Sequence, residues 1–268
     1  VEVEAQLEAK GVHLSLEEFS RHGGLAGPHK DGWGVAWYEG ADVRLVREPA
    51  AASDSACLAF IQDHPFRSRL VLSHIRKATQ GALSLANTQP FARELGGRMH
   101  VFAHNGDLEG TRLRAAYALG THRPVGDTDS EYAFCALLAR LAPLWREGGT
   151  PPLADRLELI ADFAAGLRAL GPANFLYADG DALFVHGHKR THPGGIRPPG
   201  LHVLCRTCAG ESGAFEAEGL RIASAGPQEV ALAASVPLTG EVWRPLAEGE
   251  TLALRGGRIL TSGGSSHD

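Results

Sequence analysis

Short apolar runs, bounded by Gly, Pro and Asp, occupy both ends of the chain and predict β-strands. The predicted strands cover residues 35–38, 43–46, 174–178, 182–186, 202–206, 220–224, 230–235, 251–254 and 258–260. Two pairs of these strands are separated by turn sequences, Asp179-Gly180-Asp181 and Gly256-Gly257, and these pairs are expected to form hairpins.

Apolar residues recur at helical spacing in three segments. A helix capped by Ser53 is predicted to end at Asp63, before Pro65. Two longer helices are predicted after Thr128 to about Leu144, and over residues 153–170. The N-terminal residues 1–11 are polar and helix-prone.

The order of elements is strands, then two adjacent helices, then strands. This order predicts an α+β fold with two mainly antiparallel sheets and helices packed on them, and it differs from the strand–helix alternation of a doubly wound fold. We expect a single domain over residues 1–262 and a disordered tail over residues 263–268.

Composition narrows the possible functions of the 268-residue chain. A hydrophobic content of 44% and a charged content of 21% are ordinary for a globular protein. The net charge of −5 gives no support to a nucleic-acid partner. No apolar run approaches the roughly 18 residues that cross a bilayer, so we expect a soluble, cytoplasmic protein with no membrane partner.

Cysteine and histidine residues raise the question of a metal site. Cys205-x-x-Cys208 has half of a zinc pattern but no second pair, and Cys57 lies among apolar residues of a predicted helix. Four histidines, at positions 186, 188, 192 and 202, surround a Gly/Pro-rich segment that we interpret as a mobile loop. We therefore expect no metal and no cofactor.

The stretch from Ser73 to Gly106 contains the candidate chemistry. Each of its halves is an apolar strand that ends in polar residues, first at Arg76 and then at Asn105-Gly106. An Arg binds a carboxylate through two parallel hydrogen bonds, an acid such as Asp129 can receive an ammonium, and Asn-Gly offers two donors to an oxyanion. Together these groups fit acyl transfer from an amino-acid amide.

Two further segments, one before and one after this stretch, each allow two interpretations. Residues 23–34 are dense in glycine, which favours either a close backbone approach or a flexible connection. Residues Asp127, Asp129 and Glu131 fit the N-terminus of a helix, with Thr128 and Glu131 at capping-box spacing. Three acids exceed what capping requires, so one of them is a candidate to face a ligand.

Five motifs in order resemble the class II glutamine amidotransferases, most of all their small single-domain bacterial members. The motifs are Asp31-Gly32-Trp33-Gly34, His74-Ile75-Arg76-Lys77-Ala78-Thr79, Asn87-Thr88-Gln89-Pro90-Phe91, His104-Asn105-Gly106 and Asp127-Thr128-Asp129-Ser130-Glu131. The resemblance covers about residues 23–259. It implies an N-terminal nucleophile hydrolase fold, a four-layer αββα sandwich.

The resemblance also implies roles for individual residues. Arg76, with Thr79 near it, would bind the α-carboxylate of glutamine, and Asp129 the α-ammonium. Asn105 and Gly106 would form the oxyanion hole, and the segment Asp31, Gly32, Trp33 and Gly34 is similar to the loop beside the nucleophile. The substrate would be glutamine or a γ-glutamyl small molecule, and a separate protein could accept the ammonia. Gln89 departs from the family's Thr-His-Pro-Phe motif.

The nucleophile is the largest departure. The family uses an N-terminal Cys whose own α-amine acts as general base, whereas this chain begins with Val1 and has no Cys before Cys57. Cys57 has no free α-amine and cannot replace it. We expect an N-terminal Cys to precede Val1. The alternatives are a protein that binds γ-glutamyl compounds without hydrolysing them, and a purely structural or interaction role.

Overall fold

The computed structural model describes residues 3–6, 12–13, 30–64, 68–76, 81–208, 214–217, 220–223 and 228–260. The helices in these ranges are α1 (Ala56–Asp63), α2 (Gly110–Ala116), α3 (Asp129–Leu141) and α4 (Leu153–Arg168). The strands are β1 (Val3–Gln6), β2 (Val12–His13), β3 (Trp33–Glu39), β4 (Asp42–Glu48), β5 (Leu70–Ile75), β6 (Phe91–Leu95), β7 (Arg98–Gly106), β8 (Ala173–Ala178), β9 (Leu183–His186), β10 (Arg190–His192), β11 (Gly195–Arg197), β12 (His202–Cys208), β13 (Ala214–Ala217), β14 (Leu220–Ala223), β15 (Gln228–Ala234), β16 (Arg244–Pro245), β17 (Thr251–Arg255) and β18 (Arg258–Leu260).

A six-stranded antiparallel sheet, in the order β18-β17-β9-β8-β7-β6, forms one of the two central layers. Strand β8 is buried on both faces, because its alternate side chains enter two different cores. Phe175 and Tyr177 pack with helices α3 and α4, whereas Leu176 and Ala178 pack against the second sheet.

The second layer contains the four-stranded sheet β1-β5-β3-β4. Along β3, Ala36 and Tyr38 face the six-stranded sheet, while Trp33, Val35 and Trp37 pack with α1 on the opposite side. Residues of β12 and β15 divide between the same two cores, so these strands continue this layer.

The resulting order of layers is helix, sheet, sheet, helix. It confirms the predicted α+β sandwich of antiparallel sheets. The prediction of one domain over residues 1–262 stays a prediction, and the predicted tail lies outside the described residues.

One local prediction is wrong. Residues 3–6, expected to favour a helix, form strand β1, which pairs antiparallel with β5 in the register Val3 to His74. The edge of β5 supplies hydrogen-bond partners that a short polar segment cannot provide for itself, and this pairing outweighs local helix preference.

The predicted helix ends are close to those observed. Thr128 caps α3 by accepting a hydrogen bond from the backbone N–H of Glu131 at 3.2 Å, which confirms Thr128 as the cap. The Glu131 half of the capping box differs, because its carboxylate accepts from the backbone N–H groups of Val125 and Gly126. Helix α1 ends at Asp63 as expected, but its cap is Ser55 instead of Ser53. The predicted hairpins at residues 179–181 and 256–257 are both present.

Arg156 joins α4 to the β8–β9 turn. The residue is 1% exposed, and its guanidinium donates to the carboxylates of Asp179 and Asp181. Asp179 is fully buried and also accepts from the backbone N–H groups of Asp181 and Ala182 at 3.0 Å. Each buried charge therefore depends on the other for compensation.

We expect Arg156→Met to destabilise the protein by roughly 3–5 kcal/mol, because it leaves a buried carboxylate without its counter-charge. The matched control is Arg140→Met, which removes an exposed pair with Asp162 and should cost less than about 1 kcal/mol. Urea unfolding of the two variants checks this difference. Equal losses in the two variants would contradict the assignment.

His100 is a buried neutral imidazole beneath the helices. Its Nε2–H donates to the backbone carbonyl of Leu95 at 3.0 Å, so its Nδ1 accepts from the Tyr177 hydroxyl at 2.6 Å. Burial lowers the pKa of His100 to about 4, although the Asp179 carboxylate opposes the shift. The folded state thus resists protonation of this ring.

Stability should therefore fall as the pH falls. Since the pKa of His100 is lower in the folded state than the ordinary 6.5, the unfolded chain binds its proton first, and His100 should account for a loss of about 2 kcal/mol between pH 7.5 and pH 5. Urea unfolding at several pH values should show a smaller loss in His100→Gln. The exposed His64→Gln variant should keep the full loss, and the same slope in all three proteins would disprove the role of His100.

Candidate functional site

A cavity of about 420 Å³ opens where strands β5 and β7 end. Its walls come from the ends of these two strands, the start of α3, the segment before β6 and the β10–β11 hairpin. The lining residues are His74, Arg76, Asn87, Gln89, His104, Asn105, Gly106, Asp107, Thr128, Asp129, Ser130, Pro172, Lys189, Arg190, Thr191 and Ile196.

Arg76 follows β5 and is 4% exposed. Its backbone N–H donates to the Gly32 carbonyl at 2.7 Å, and its guanidinium donates to the carbonyls of Gly81 and Ala82 at 3.3 Å. Burial lowers the pKa of the guanidinium, and the carboxylates of Asp31 and Asp127 oppose that shift. A cation held in this way is oriented for an anionic ligand.

Asp129 lies at the first turn of α3 and is 7% exposed. Its carboxylate accepts from the backbone N–H of Leu108 at 2.8 Å and from the Ser130 hydroxyl at 3.3 Å. Glu131 instead turns away and is bound by Arg93 and by the backbone N–H groups of Val125 and Gly126. Among the three acids of this segment, Asp129 is therefore the one that lines the cavity.

Asn105 and Gly106 form the end of β7. The Asn105 side-chain amide donates to the Ser235 hydroxyl at 3.0 Å, and its backbone carbonyl accepts from Asn174 at 2.9 Å. A Cβ atom at Gly106 would lie 1.9 Å from the Pro172 carbonyl oxygen and 2.5 Å from His104 Nε2. Only glycine fits at this point.

Two buried histidines, His74 and His104, also line the cavity, and the sequence pattern predicts no role for either. His104 Nδ1 bonds the Ser130 hydroxyl at 2.9 Å, and within the described residues its Nε2 and both ring nitrogens of His74 make no hydrogen bond. Burial lowers the pKa of both rings, well below the ordinary value for His74. Their sequence signals were their position at strand ends and their place in two of the five motifs.

Gln89 extends the pairing of β6 with β7 by means of its side chain. The strand register pairs Phe91 with Phe102, so position 89 lies opposite His104, but Pro90 has no N–H to continue the ladder. Instead, the side-chain amide of Gln89 accepts from the His104 N–H at 2.6 Å and donates to its carbonyl at 3.1 Å. The residue that departs from the family motif thus holds the strand end beside Asn105.

Asp31, Gly32 and Gly34 do not line the cavity themselves but contact residues that do. Asp31 and Gly32 bond the backbone of Arg76, and the indole of Trp33 donates to Glu48 at 3.2 Å. A Cβ atom at Gly34 would lie 2.4 Å from the Gln89 carbonyl oxygen, so at this position the structure supports the close backbone approach, one of the two interpretations of residues 23–34. Thr79 lies outside the described residues. Arg76, Asn105, Gly106 and Asp129 are brought together at the cavity wall.

Cysteines and metal ligands do not converge in the part of the chain that the structure describes. None of the three cysteine side chains described, Cys57, Cys135 and Cys205, lines the cavity. Burial raises the pKa of Cys135 to about 11. His188 and His192 bond separate partners, Ala173 and Pro199, and no described group of three or more His, Cys, Asp or Glu is placed to hold a metal.

No helix among the described residues combines the length and the apolar character needed to cross a membrane.

Comparison with known proteins agrees with this architecture. Residues 5–268 match the family model described as "Glutamine amidotransferases class-II". An Escherichia coli K12 protein, "Putative glutamine amidotransferase YafJ", is 40% identical over 182 residues, which span 68% of this chain and 69% of that protein.

Solved structures of glutamine amidotransferases are also similar to this chain. The structure described as a "predicted glutamine amidotransferase from Pseudomonas aeruginosa PA01" superposes with a TM-score of 0.69 at 32% identity, over 97% of this chain and 98% of that one. The glutamine phosphoribosylpyrophosphate amidotransferase of B. subtilis has a TM-score of 0.59 at 16% identity, over 99% of this chain and 50% of that one, and its likeness concerns the fold alone.

We expect the Gln89 amide to contribute strongly to stability. Gln89→Met has a similar length but leaves the buried N–H and carbonyl of His104 unpaired, at a cost of roughly 2 kcal/mol or more. Gln89→Glu keeps the acceptor and replaces the donor by an oxygen that faces the His104 carbonyl, so it should also be destabilised near neutral pH. Urea unfolding measures both losses, and wild-type stability in either variant would refute this role.

Proposed function

The chain belongs to the family of class II glutamine amidotransferases, and on that premise we propose that it hydrolyses the γ-amide of glutamine or of a γ-glutamyl compound. The observation that carries the proposal is the convergence of Arg76, Asp129 and Asn105-Gly106 on one cavity. The Arg76 cation matches the α-carboxylate of such a substrate, and the Asp129 anion matches its α-ammonium. The Asn105-Gly106 pair matches its γ-carbonyl.

In this proposal, Arg76 and Asp129 hold the α-amino-acid head group. The Arg76 guanidinium pairs with the α-carboxylate, and the Asp129 carboxylate receives the α-ammonium. Both side chains are buried and anchored by backbone groups, so little conformational entropy is lost when the substrate binds. Thr79 is proposed to assist Arg76, on the basis of the family motif.

Asn105 and Gly106 form the proposed oxyanion hole. The amide of Asn105 and the backbone N–H of Gly106 would donate to the oxygen that becomes negatively charged when the γ-carbonyl is attacked. The bonds of Asn105 to Ser235 and Asn174 fix its position before the substrate arrives. This preorganisation lowers the energy needed to reach the transition state.

The proposed nucleophile is an N-terminal cysteine outside residues 1–268. Its thiol would attack the γ-carbonyl, and its own α-amine, with an ordinary pKa near 8, would accept the thiol proton. Asp31, Gly32, Trp33 and Gly34 would form the loop beside it. Collapse of the tetrahedral intermediate would transfer the proton from the α-ammonium of the cysteine to the leaving nitrogen, expel ammonia and leave a γ-glutamyl thioester. Water would then hydrolyse the thioester and release glutamate, while the ammonia leaves in solution or passes to a separate acceptor protein.

A second candidate function is binding without hydrolysis. It requires only the head-group residues Arg76 and Asp129, which line the cavity, whereas none of the described cysteine side chains does. The same head-group residues would then hold a γ-glutamyl ligand for regulation. Under either function we propose a cytoplasmic protein without a cofactor, which suits its low cysteine content.

We expect Arg76→Ala to weaken glutamine binding by about 2 kcal/mol, or roughly thirtyfold, because it removes a charged contact. The control is Arg69→Ala, an exposed arginine just before the same strand, which should bind glutamine like the wild type. Calorimetry measures the Kd, or kcat/KM replaces it if glutamine is hydrolysed. An unchanged value in Arg76→Ala would exclude both candidate functions.

Mass spectrometry and an ammonia-release assay distinguish the two functions. The hydrolase predicts an N-terminal cysteine in the purified protein and ammonia release that thiol alkylation abolishes. The binding protein predicts Arg76-dependent affinity for glutamine without ammonia release.

A further inference from the structure

The β10–β11 hairpin forms a wall of the cavity that the proposed head-group and oxyanion contacts do not use. Its two strands pair Arg190 with Arg197 and Thr191 with Ile196. Residues of β11 are exposed, so the hairpin projects from the body of the protein. Even so, Lys189, Arg190, Thr191 and Ile196 line the cavity.

Asn174 fixes the base of this hairpin to the end of β7. This side chain is 1% exposed, and its amide nitrogen donates to the backbone carbonyls of Asn105 at 2.9 Å and Lys189 at 2.8 Å. Its oxygen accepts from the His188 N–H at 2.7 Å. The hairpin therefore adjoins the side of the cavity where Asn105 lies.

Arg76 is held by a different part of the chain. Its hydrogen bonds go to the backbone carbonyls of Asp31, Gly81 and Ala82. With the head group of a γ-glutamyl compound at Arg76 and its γ-carbonyl at Asn105, the group beyond the amide nitrogen points toward the hairpin.

The charges that line the cavity also differ between the β7 side and the hairpin wall. The lining carboxylates, Asp107 and Asp129, belong to the β7 end and the start of α3, whereas Lys189 and Arg190 bring two positive charges to the hairpin wall. Both cations are half-buried, where the attraction of an anion exceeds that at an open surface. The volume of about 420 Å³ falls in the range that encloses ligands larger than a single amino acid.

We propose that Lys189 and Arg190 form a leaving-group subsite that selects γ-glutamyl compounds in which the amine beyond the scissile bond carries a carboxylate. This inference rests on the proposed function and adds its substrate class. Hydrolysis breaks the bond between the carbon of the γ-carbonyl group and the amide nitrogen. Water supplies a hydroxyl to the acyl carbon and a proton to the amine, and the products are glutamate and an amino acid or peptide.

The test compares γ-glutamylglycine with γ-glutamylglycinamide, which differ only in the terminal carboxylate. Calorimetry on the full chain, or the ratio of kcat/KM values if the compounds are hydrolysed, should show a preference of about tenfold for γ-glutamylglycine. Lys189→Ala and Arg190→Ala should each reduce it by roughly threefold, and Lys189→Glu should reverse it. The ratio is measured within one protein, so a partial loss of folded material does not affect it.

Arg197→Ala is the matched control, because Arg197 lies on the same hairpin but is exposed and does not line the cavity. It should keep the wild-type preference. Equal values for the two compounds in the wild type, or an unchanged ratio in Lys189→Glu, would overturn the subsite. Arg76-dependent glutamine binding would then leave the proposed function standing, whereas failure of glutamine and both probes to bind would overturn both.

Discussion

Backbone pairing between β7 and β8 determines where every other layer lies. Neither strand lies at an edge of the six-stranded sheet, and their alternate side chains pack on the helices at one face and on the second sheet at the other. A slip of one residue would exchange these two sets of side chains and expose Asn105 to a different environment. The position of the cavity wall is fixed because Asn105 and Gly106 end a strand that two cores hold in register.

Much of this arrangement can be predicted from the sequence. Apolar runs with turn residues predict the strands, and the capping pattern at Thr128 locates the start of α3. Arg76 and Asn105 are recognisable because polar residues that follow a buried strand have few structural reasons to be there. The order of five motifs supplies the family.

Other features depend on contacts between distant residues and could not be predicted. Strand β1 exists because β5 offers an edge, and the role of Gln89 depends on a register shared with His104. Gly and Pro dominate residues 194–200, which include β11, and this composition favours a mobile loop, while nothing in the sequence pattern marks Lys189 or Arg190 as part of a site. The place of the hairpin at the cavity depends on Asn174, whose sequence position gives no indication of the bonds it makes.

The attachment of the hairpin has a consequence for how new specificities can arise. Asn174 binds backbone atoms of His188, Lys189 and Asn105, and none of these bonds depends on the side chains of residues 190–197. Side chains of residues 190–197 can therefore be exchanged without removing the bonds that attach the hairpin to the end of β7. Such changes would alter this wall of the cavity while the geometry at Asn105 is preserved.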